Sequence, residues 1–303
     1  MGHCRLAAGS ALVAALVIAW PVSPHAQVLA PDRLLTVSQT RDAEPPPAGP
    51  PPLVLDPSRW EFSLGAYVGR PGGYIRVDEG RTRGTRLRLN DDLGVRFSES
   101  GDASAAFHLT PRDAIRASFL YYFLRGEGLL DSSVVYNGEQ FTAPGHVVTN
   151  ADFYRVSLAY ERTGVFPGGF LTGSVGLTYV HLDPKLTGHG RSNAEDFYRQ
   201  ELPVPIVGLR LDIPLGQGFG ARASIGGGGL PRVNSGRKEG GTVYLEQIHG
   251  DGAIALTYAL TKNLGLDVGP RLTYFFQREK SHEDDNRFEL IDFGVRAGVT
   301  LRF

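Results

Sequence analysis

The sequence predicts an all-β chain: a transmembrane antiparallel up-and-down β-barrel of about ten strands, with eight or twelve also compatible. Three observations predict it. Residues Ile291 to Phe303 alternate strictly, with Ile291, Phe293, Val295, Ala297, Val299, Leu301 and Phe303 apolar and Asp292, Gly294, Arg296, Gly298, Thr300 and Arg302 between them. A two-residue period puts one whole face in an apolar medium and the other in a polar one. Similar runs recur from Arg59 onward with turn residues between them. Finally, no stretch after the first twenty residues approaches the ~20 apolar residues a spanning helix requires, so membrane integration must use strands.

The strands follow in order. Trp60, Phe62, Leu64, Ala66 and Val68 share the first outward face, and Ala103, Ala105, Phe107 and Leu109 the second. Thr110-Pro111-Arg112-Asp113 turns the chain into Ile115, Ala117, Phe119, Tyr121 and Phe123. Tyr154, Val156, Leu158 and Tyr160 form the fourth face, and Leu171, Val175, Leu177 and Tyr179 the fifth. Val207 to Ile213, Phe219 to Ile225, Ile254 to Leu260 and Leu264 to Phe276 alternate likewise, before the closing strand. Connections at Thr110, Gly164, Pro214 and Thr261 are short, whereas those around 70–101, 127–150, 182–199, 229–243 and 278–287 are long and polar. Short turns on one side and long loops on the other are the asymmetry of a bacterial barrel. Pro203, Pro205 and Pro270 interrupt good strands and leave the count open to eight or twelve. Asn137-Gly138 is a type I′ hairpin signal and predicts a ribbon extending the third and fourth strands.

Aromatics collect at both ends of the runs. Trp60, Phe107, Tyr160, Phe219, Tyr258 and Phe303 fall on the short-turn side, and Tyr121, Phe123, Tyr179, Tyr274 and Phe276 on the long-loop side. Two belts of amphipathic rings are expected at two membrane interfaces.

Residues 1–26 read as a secretory signal peptide: Arg5 precedes an apolar run from Leu6 to Trp20, and small residues and prolines end at Ala26. Residues 27–57 read as a Pro-rich disordered periplasmic leader, since Pro45–Pro47 and Pro50–Pro52 favour polyproline conformation and cannot join a sheet interior. Residues 58–303 are the predicted barrel. The only cysteine, Cys4, lies in the signal, so the mature chain has neither a disulfide nor a thiolate. Losing Arg5 moves the net charge from −1 to −2, which gives no electrostatic case for nucleic acid.

Inward positions carry acids at Glu61, Glu161, Asp212, Asp267 and Asp292, and bases at Arg116, Arg155, Arg210, Arg222, Arg271, Arg296 and Arg302. In a narrow barrel these are expected to pair across strands, because an unpartnered buried charge is costly. The other reading of the same residues is a charge-lined pore with a slight preference for anions. His108 shares an inward face with Ser104, and His249 with Asp251, but neither forms a recognisable catalytic set. Asp91-Asp92 and Asp284-Asp285 lack calcium-loop spacing, and Gly226 to Gly229 lack the lysine and helix of a phosphate loop. The sequence thus points to no cofactor and no metal, and an enzyme is the less favoured class.

The end Arg296-Ala-Gly298-Val-Thr-Leu301-Arg-Phe303 resembles the carboxy-terminal signal of outer-membrane proteins. The resemblance implies that Gly298, Leu301 and Phe303 are read by the barrel-assembly machinery. The stretch from Gly84 to Gly94, with its Asp91-Asp92-Leu93-Gly94, is similar to one found in uncharacterised small outer-membrane β-barrel proteins. Together they imply location in the outer membrane, with lipid and lipopolysaccharide as surroundings. The function expected is structural, or that of a small-solute or ion channel with a charge-lined lumen. The alternatives are a lipid or peptide hydrolase at the barrel mouth and a loop-mediated adhesion or receptor protein.

Overall fold

The computed structural model describes residues 58–182, 184–188, 191–194, 203–238, 242–282 and 284–303. The expected signal peptide and leader lie outside them. Every regular element is a strand. In chain order these are β1 (Trp60–Arg76), β2 (Leu87–Arg88), β3 (Ser98–His108), β4 (Asp113–Phe123), β5 (Arg125–Leu130), β6 (Val134–Tyr136), β7 (Glu139–Phe141), β8 (Gly145–Asn150) and β9 (Phe153–Phe166). There follow β10 (Gly169–Leu182), β11 (Lys185–Gly188), β12 (Arg191–Ala194), β13 (Val204–Gly216), β14 (Phe219–Lys238), β15 (Thr242–Ala259), β16 (Leu264–Lys280) and β17 (Asp285–Arg302).

Ten of these, β1, β3, β4, β9, β10 and β13 to β17, pair antiparallel in sequence order, and β17 pairs back onto β1 from Glu61↔Arg302 to Arg76↔Arg287. The sheet is a closed barrel without a free edge, so the wall satisfies its own backbone groups. The alternation expected from the sequence is present on the wall. Leu64, Val68, Leu158, Val175, Val207, Leu209, Ile254 and Phe293 are exposed on the outside, while Arg116, Glu161, Arg271 and Asp292 turn inward. Rings meet at both ends of the apolar band. Trp60 lies 4.8 Å from Phe107 and Phe219 4.7 Å from Tyr258 at the short-turn end. Tyr121 lies 4.6 Å from Phe123 at the other.

Several strands run further than the side-chain pattern indicated. β14 and β15 continue through much of 229–243, pairing Leu230 with Gln247 and Val233 with Leu245. Gly226 to Gly229 erase the two-residue side-chain period there, but the backbone ladder does not depend on side chains, and these glycines sit inside β14. β16 and β17 likewise reach Lys280 and Asp285. Pro270 stays in β16; the β15 register runs to Ala253↔Arg271 and resumes at Leu256↔Val268, so the missing donor falls in that gap.

The long-loop end has its own structure. β5 and β8 extend β4 and β9 as a ribbon after a break at Leu124 and Ala151, and join β11 and β12 in a four-stranded sheet. Asn137 and Gly138 both take positive φ, 50° and 69°, in the β6–β7 hairpin, as a type I′ turn requires. Above the lumen, Val77, Leu87, Leu89, Leu93 and Val95 from the first loop pack with Leu124, Leu130, Val134, Tyr136, Phe141 and Val147 from the ribbon, and with Ile75, Phe288 and Leu290 from the wall. The barrel therefore has an apolar cap at one end.

Candidate functional site: a charged lumen beneath an apolar cap

Inward positions near the short-turn end form one chain of ion pairs that follows the strand order. Arg302 on β17 donates from Nε to Glu61 on β1 at 3.0 Å, and Arg116 on β4 donates from Nη2 to the other oxygen of Glu61 at 2.9 Å. Arg116 also donates from Nε to Glu161 on β9 at 2.7 Å, and from Nη1 to Ser104 on β3 at 3.1 Å. Arg210 on β13 lies 3.5 Å from Glu161 and donates from Nε to Asp212 at 3.1 Å. Arg222 on β14 donates from Nε to the remaining oxygen of Asp212 at 2.7 Å. These cations are all arginines. A planar fork can address two carboxylates at once and is less costly to dehydrate than an ammonium.

A second layer lies deeper. Arg296 on β17 holds Asp102 on β3 through Nε and Nη2, at 2.8 and 2.7 Å, and reaches Asp267 on β16 with Nη1. Across the lumen, Asp251 on β15 accepts from Arg155 at 2.7 Å, from Arg271 at 3.0 Å and from the Thr273 hydroxyl at 3.1 Å. Close packing needs small residues beside the forks. A Cβ on Gly65 would lie 2.5 Å from Asp102 Oδ2, and one on Gly298 would lie 2.6 Å from Arg296 Nη1.

Asp292 stands apart from both layers. It is fully buried on β17 and accepts from the Ser98 hydroxyl at 2.6 Å, with no ion pair to an arginine among the described residues. Beside it, the buried Tyr122 hydroxyl donates to Thr273 at 3.3 Å. Tyr122 stacks on Phe153, and Phe153 on Phe275, at 4.8 and 5.5 Å between ring centroids. His249 packs against Phe275 at 5.1 Å. This polar and aromatic floor separates the ion pairs from the apolar cap.

Chambers remain among the charges of the described residues. A central one of about 340 Å³ is lined by both ion-pair layers. A second of about 330 Å³ opens among the short turns, with Pro111, Pro214 and Gly218 at its rim and Glu61, His108, Arg210, Asp212, Arg222, Asp267 and Arg302 on its walls. His108 is therefore a chamber residue, and among the described residues it has no hydrogen bond to an acid or a serine. A third, apolar cleft of about 440 Å³ lies around Pro270, among outward residues such as Leu209, Ile225, Ile254 and Phe293, and belongs to the wall rather than the lumen chemistry.

All twelve charged residues singled out from the sequence turn inward, and eleven of them take part in the ion pairs above. Sequence reasoning left Asp102 and Asp251 out of that set. Stepping back from Ser104 in twos places Asp102 on the same inward face, and the same step from Ala253 gives Asp251. Of the remaining acids, Asp91 and Asp92 both engage Arg88, at 2.8 and 3.1 Å, on the long-loop side. Asp285 accepts from Arg278 and Arg287 where β16 and β17 project beyond the apolar band. Burial raises its carboxyl, but the two guanidiniums outweigh burial and hold it well below the usual carboxylate range. Leu301 and Phe303 lie outward at the short-turn end, with Phe303 edge-on to Phe62 at 6.0 Å, and Gly298 turns inward beside Arg296.

No protein-family model matches the chain, and no curated protein matches it either. Among solved structures, the chain is similar to the outer membrane protease OmpT from Escherichia coli at 13% identity and a TM-score of 0.46, over 80% of this chain and 97% of that one. It is similar to Neisserial surface protein A at 11% identity and a TM-score of 0.31, over 80% and 97%. It is also similar to the Pseudomonas putida (P. putida) toluene transporter TodX at 10% identity and a TM-score of 0.31, over 82% and 91%.

Proposed function

We propose that the protein spans the bacterial outer membrane as a closed barrel, plugged by ion pairs and capped on its long-loop side, rather than as an open pore. The carrying observation is the stacking of three closures in one lumen. The Glu61–Arg116–Glu161–Arg210–Asp212 chain lines it first, the Asp102–Arg296–Asp267 set and the Arg155–Asp251–Arg271 set, which reaches across from β9 to β15, lie behind, and the apolar cap covers the far end. An ion crossing this path would have to break pairs made in a poorly hydrated interior and then enter an apolar core, and both steps are costly. The membrane placement rests on the band of exposed Leu, Val, Ile and Phe around the wall and on the rings at both of its ends. By the rule that short turns face the periplasm, the open chamber faces inward and the cap faces the cell exterior.

Reconstitution of the folded protein into planar bilayers tests closure. The expected result is an absence of discrete conductance steps in the wild type at moderate voltage. Regular steps with a defined ion selectivity would overturn the closed reading and favour the charge-lined channel.

A further inference from the structure

One part of the ion-pair chain is unevenly shared. Arg116 and Arg302 each reach a glutamate with a charge-assisted bond of 3.0 Å or less, and Arg210 has both Asp212 and the more distant Glu161. Among the described residues Arg222 has Asp212 alone, and it shares that carboxylate with Arg210. Both arginines contact Asp212 through Nε, one on each oxygen, so the bond uses the inner edge of each guanidinium. The outer edge of Arg222, with Nη1 and Nη2, makes no bond to any described residue. Its side chain is 29% exposed, against 10% for Arg271 in the deeper layer, and it lines the short-turn chamber as well as the central one.

The chamber wall adds a hydroxyl at that point. Thr257 pairs with Gly220 across β14 and β15, and a Cβ on Gly220 would lie 2.7 Å from the Thr257 hydroxyl. The missing side chain keeps this inward position, two residues below Arg222, open toward the short turns. Arg222, Arg210 and Thr257 thus present donors from three neighbouring strands into one pocket that opens at the short-turn rim.

We propose that the short-turn chamber binds a small oxyanion, phosphate- or carboxylate-bearing, on the outer edge of Arg222, with Thr257 as a second donor and Arg210, whose Nη1 faces Glu161, as a flanking positive charge. A guanidinium edge addresses two oxygens of such a group at once, and charge-assisted bonds of this kind are about twice as strong as neutral ones. The chamber's volume of about 330 Å³ lies at the lower end of the range for small-ligand sites.

The test is calorimetric titration of the full-length, detergent-folded protein with inorganic phosphate and, in a separate arm, with succinate. Saturable binding in one arm is expected, and which arm shows it identifies the oxyanion. Arg222→Gln should weaken that binding at least about tenfold. Arg222→Lys, which keeps the charge and loses the fork, should fall between the two, and Arg88→Gln on the opposite side should bind as wild type. Heat-dependent mobility on gels verifies that each variant is folded. Absence of saturable binding in both arms, or equal binding by wild type and Arg222→Gln, would overturn the proposal. The readout needs no bilayer, so a conductance result bears on closure and leaves the binding result standing.

Discussion

Arg296 on β17 and Asp102 on β3 form a fork over the intervening strand β1, Nε to Oδ2 at 2.8 Å and Nη2 to Oδ1 at 2.7 Å, although the two residues are 194 positions apart in the chain. The third nitrogen of Arg296 serves Asp267, whose side chain is 10% exposed. Replacing Arg296 with Gln strands two carboxylates in a narrow space. Breaking a buried pair from one side costs about 3–5 kcal/mol, and the 20% exposure of both side chains moves the expectation toward about 3. Urea unfolding of the lipid-folded barrel measures it. The Arg296→Gln/Asp102→Asn double variant should be less destabilised than the two single effects summed, since the pair acts as a unit.

Gly65 makes that fork possible. It pairs with Gly298 on β17 and with Asp102 on β3, and a Cβ there would collide with both members of the fork. Gly65→Ala should therefore cost about 1–3 kcal/mol by forcing the guanidinium aside. Gly101→Ala, where a Cβ meets nothing within 4 Å, should stay within about 0.5 kcal/mol of wild type. Equal effects at the two positions would show that strand propensity, not the fork, sets the cost.

Much of this barrel is legible because the alternation of polar and apolar residues has the same period as the strand. Val207, Leu209, Leu211 and Ile213 declare their face without reference to any other part of the chain. The inward charges could be assigned to a face in the same way, but their partners could not. Arg116 bonds Glu161 and Glu61, 45 and 55 residues away, and that choice depends on registers that no local pattern encodes. The cap was hidden for a different reason. Leu87, Leu89, Leu93 and Val95 lie among Arg86, Arg88, Asp91 and Asp92 in a stretch that reads as a polar loop, and only burial against the ribbon separates them. Asp292 alternates like the network acids, yet its register places it beside Ser98 and Tyr122, above the arginine layers.

The lipid-facing assignment makes a prediction that a water-soluble barrel would not. Leu158 on β9 is 57% exposed at mid-strand. In water, an arginine there would be nearly neutral. At the middle of a bilayer it should cost about 2–4 kcal/mol. Leu158→Arg, compared with wild type by unfolding in lipid vesicles, distinguishes the two media. A cost under about 0.5 kcal/mol would count against the membrane placement.

Asp285 gives the long-loop rim a defined pH response. Its folded-state carboxyl is held below the ordinary value of about 3.9, so it contributes stability above that value and loses it as pH falls through the lower, folded one. Protection of the Arg278 and Arg287 amides, read by hydrogen exchange, should therefore hold from neutral pH down to about 4 and decline only below it. Asp285→Asn should show the weakened rim already at neutral pH. A decline that began near pH 6 would identify a histidine as the responsible group instead.

The cap and the wall should come apart energetically. Phe141 on β7 is 2% exposed and packs in the same cluster as Leu89 and Val95, whose own link is the Val95 amide to the Leu89 carbonyl at 2.8 Å. None of these residues belongs to the ten-stranded ladder. Truncating Phe141 to Ala removes packing worth about 3–5 kcal/mol where the site cannot collapse. That loss should appear as faster exchange at the Leu89 and Val95 amides and at the Ala151 amide, which bonds the Leu124 carbonyl at 2.8 Å. The urea midpoint of the barrel should stay in place, because cap opening is a local event and the ladder unfolds as a separate unit. A midpoint shift as large as the cap loss would show instead that cap and barrel fold cooperatively, with the apolar core acting as a structural support for the strands beneath it.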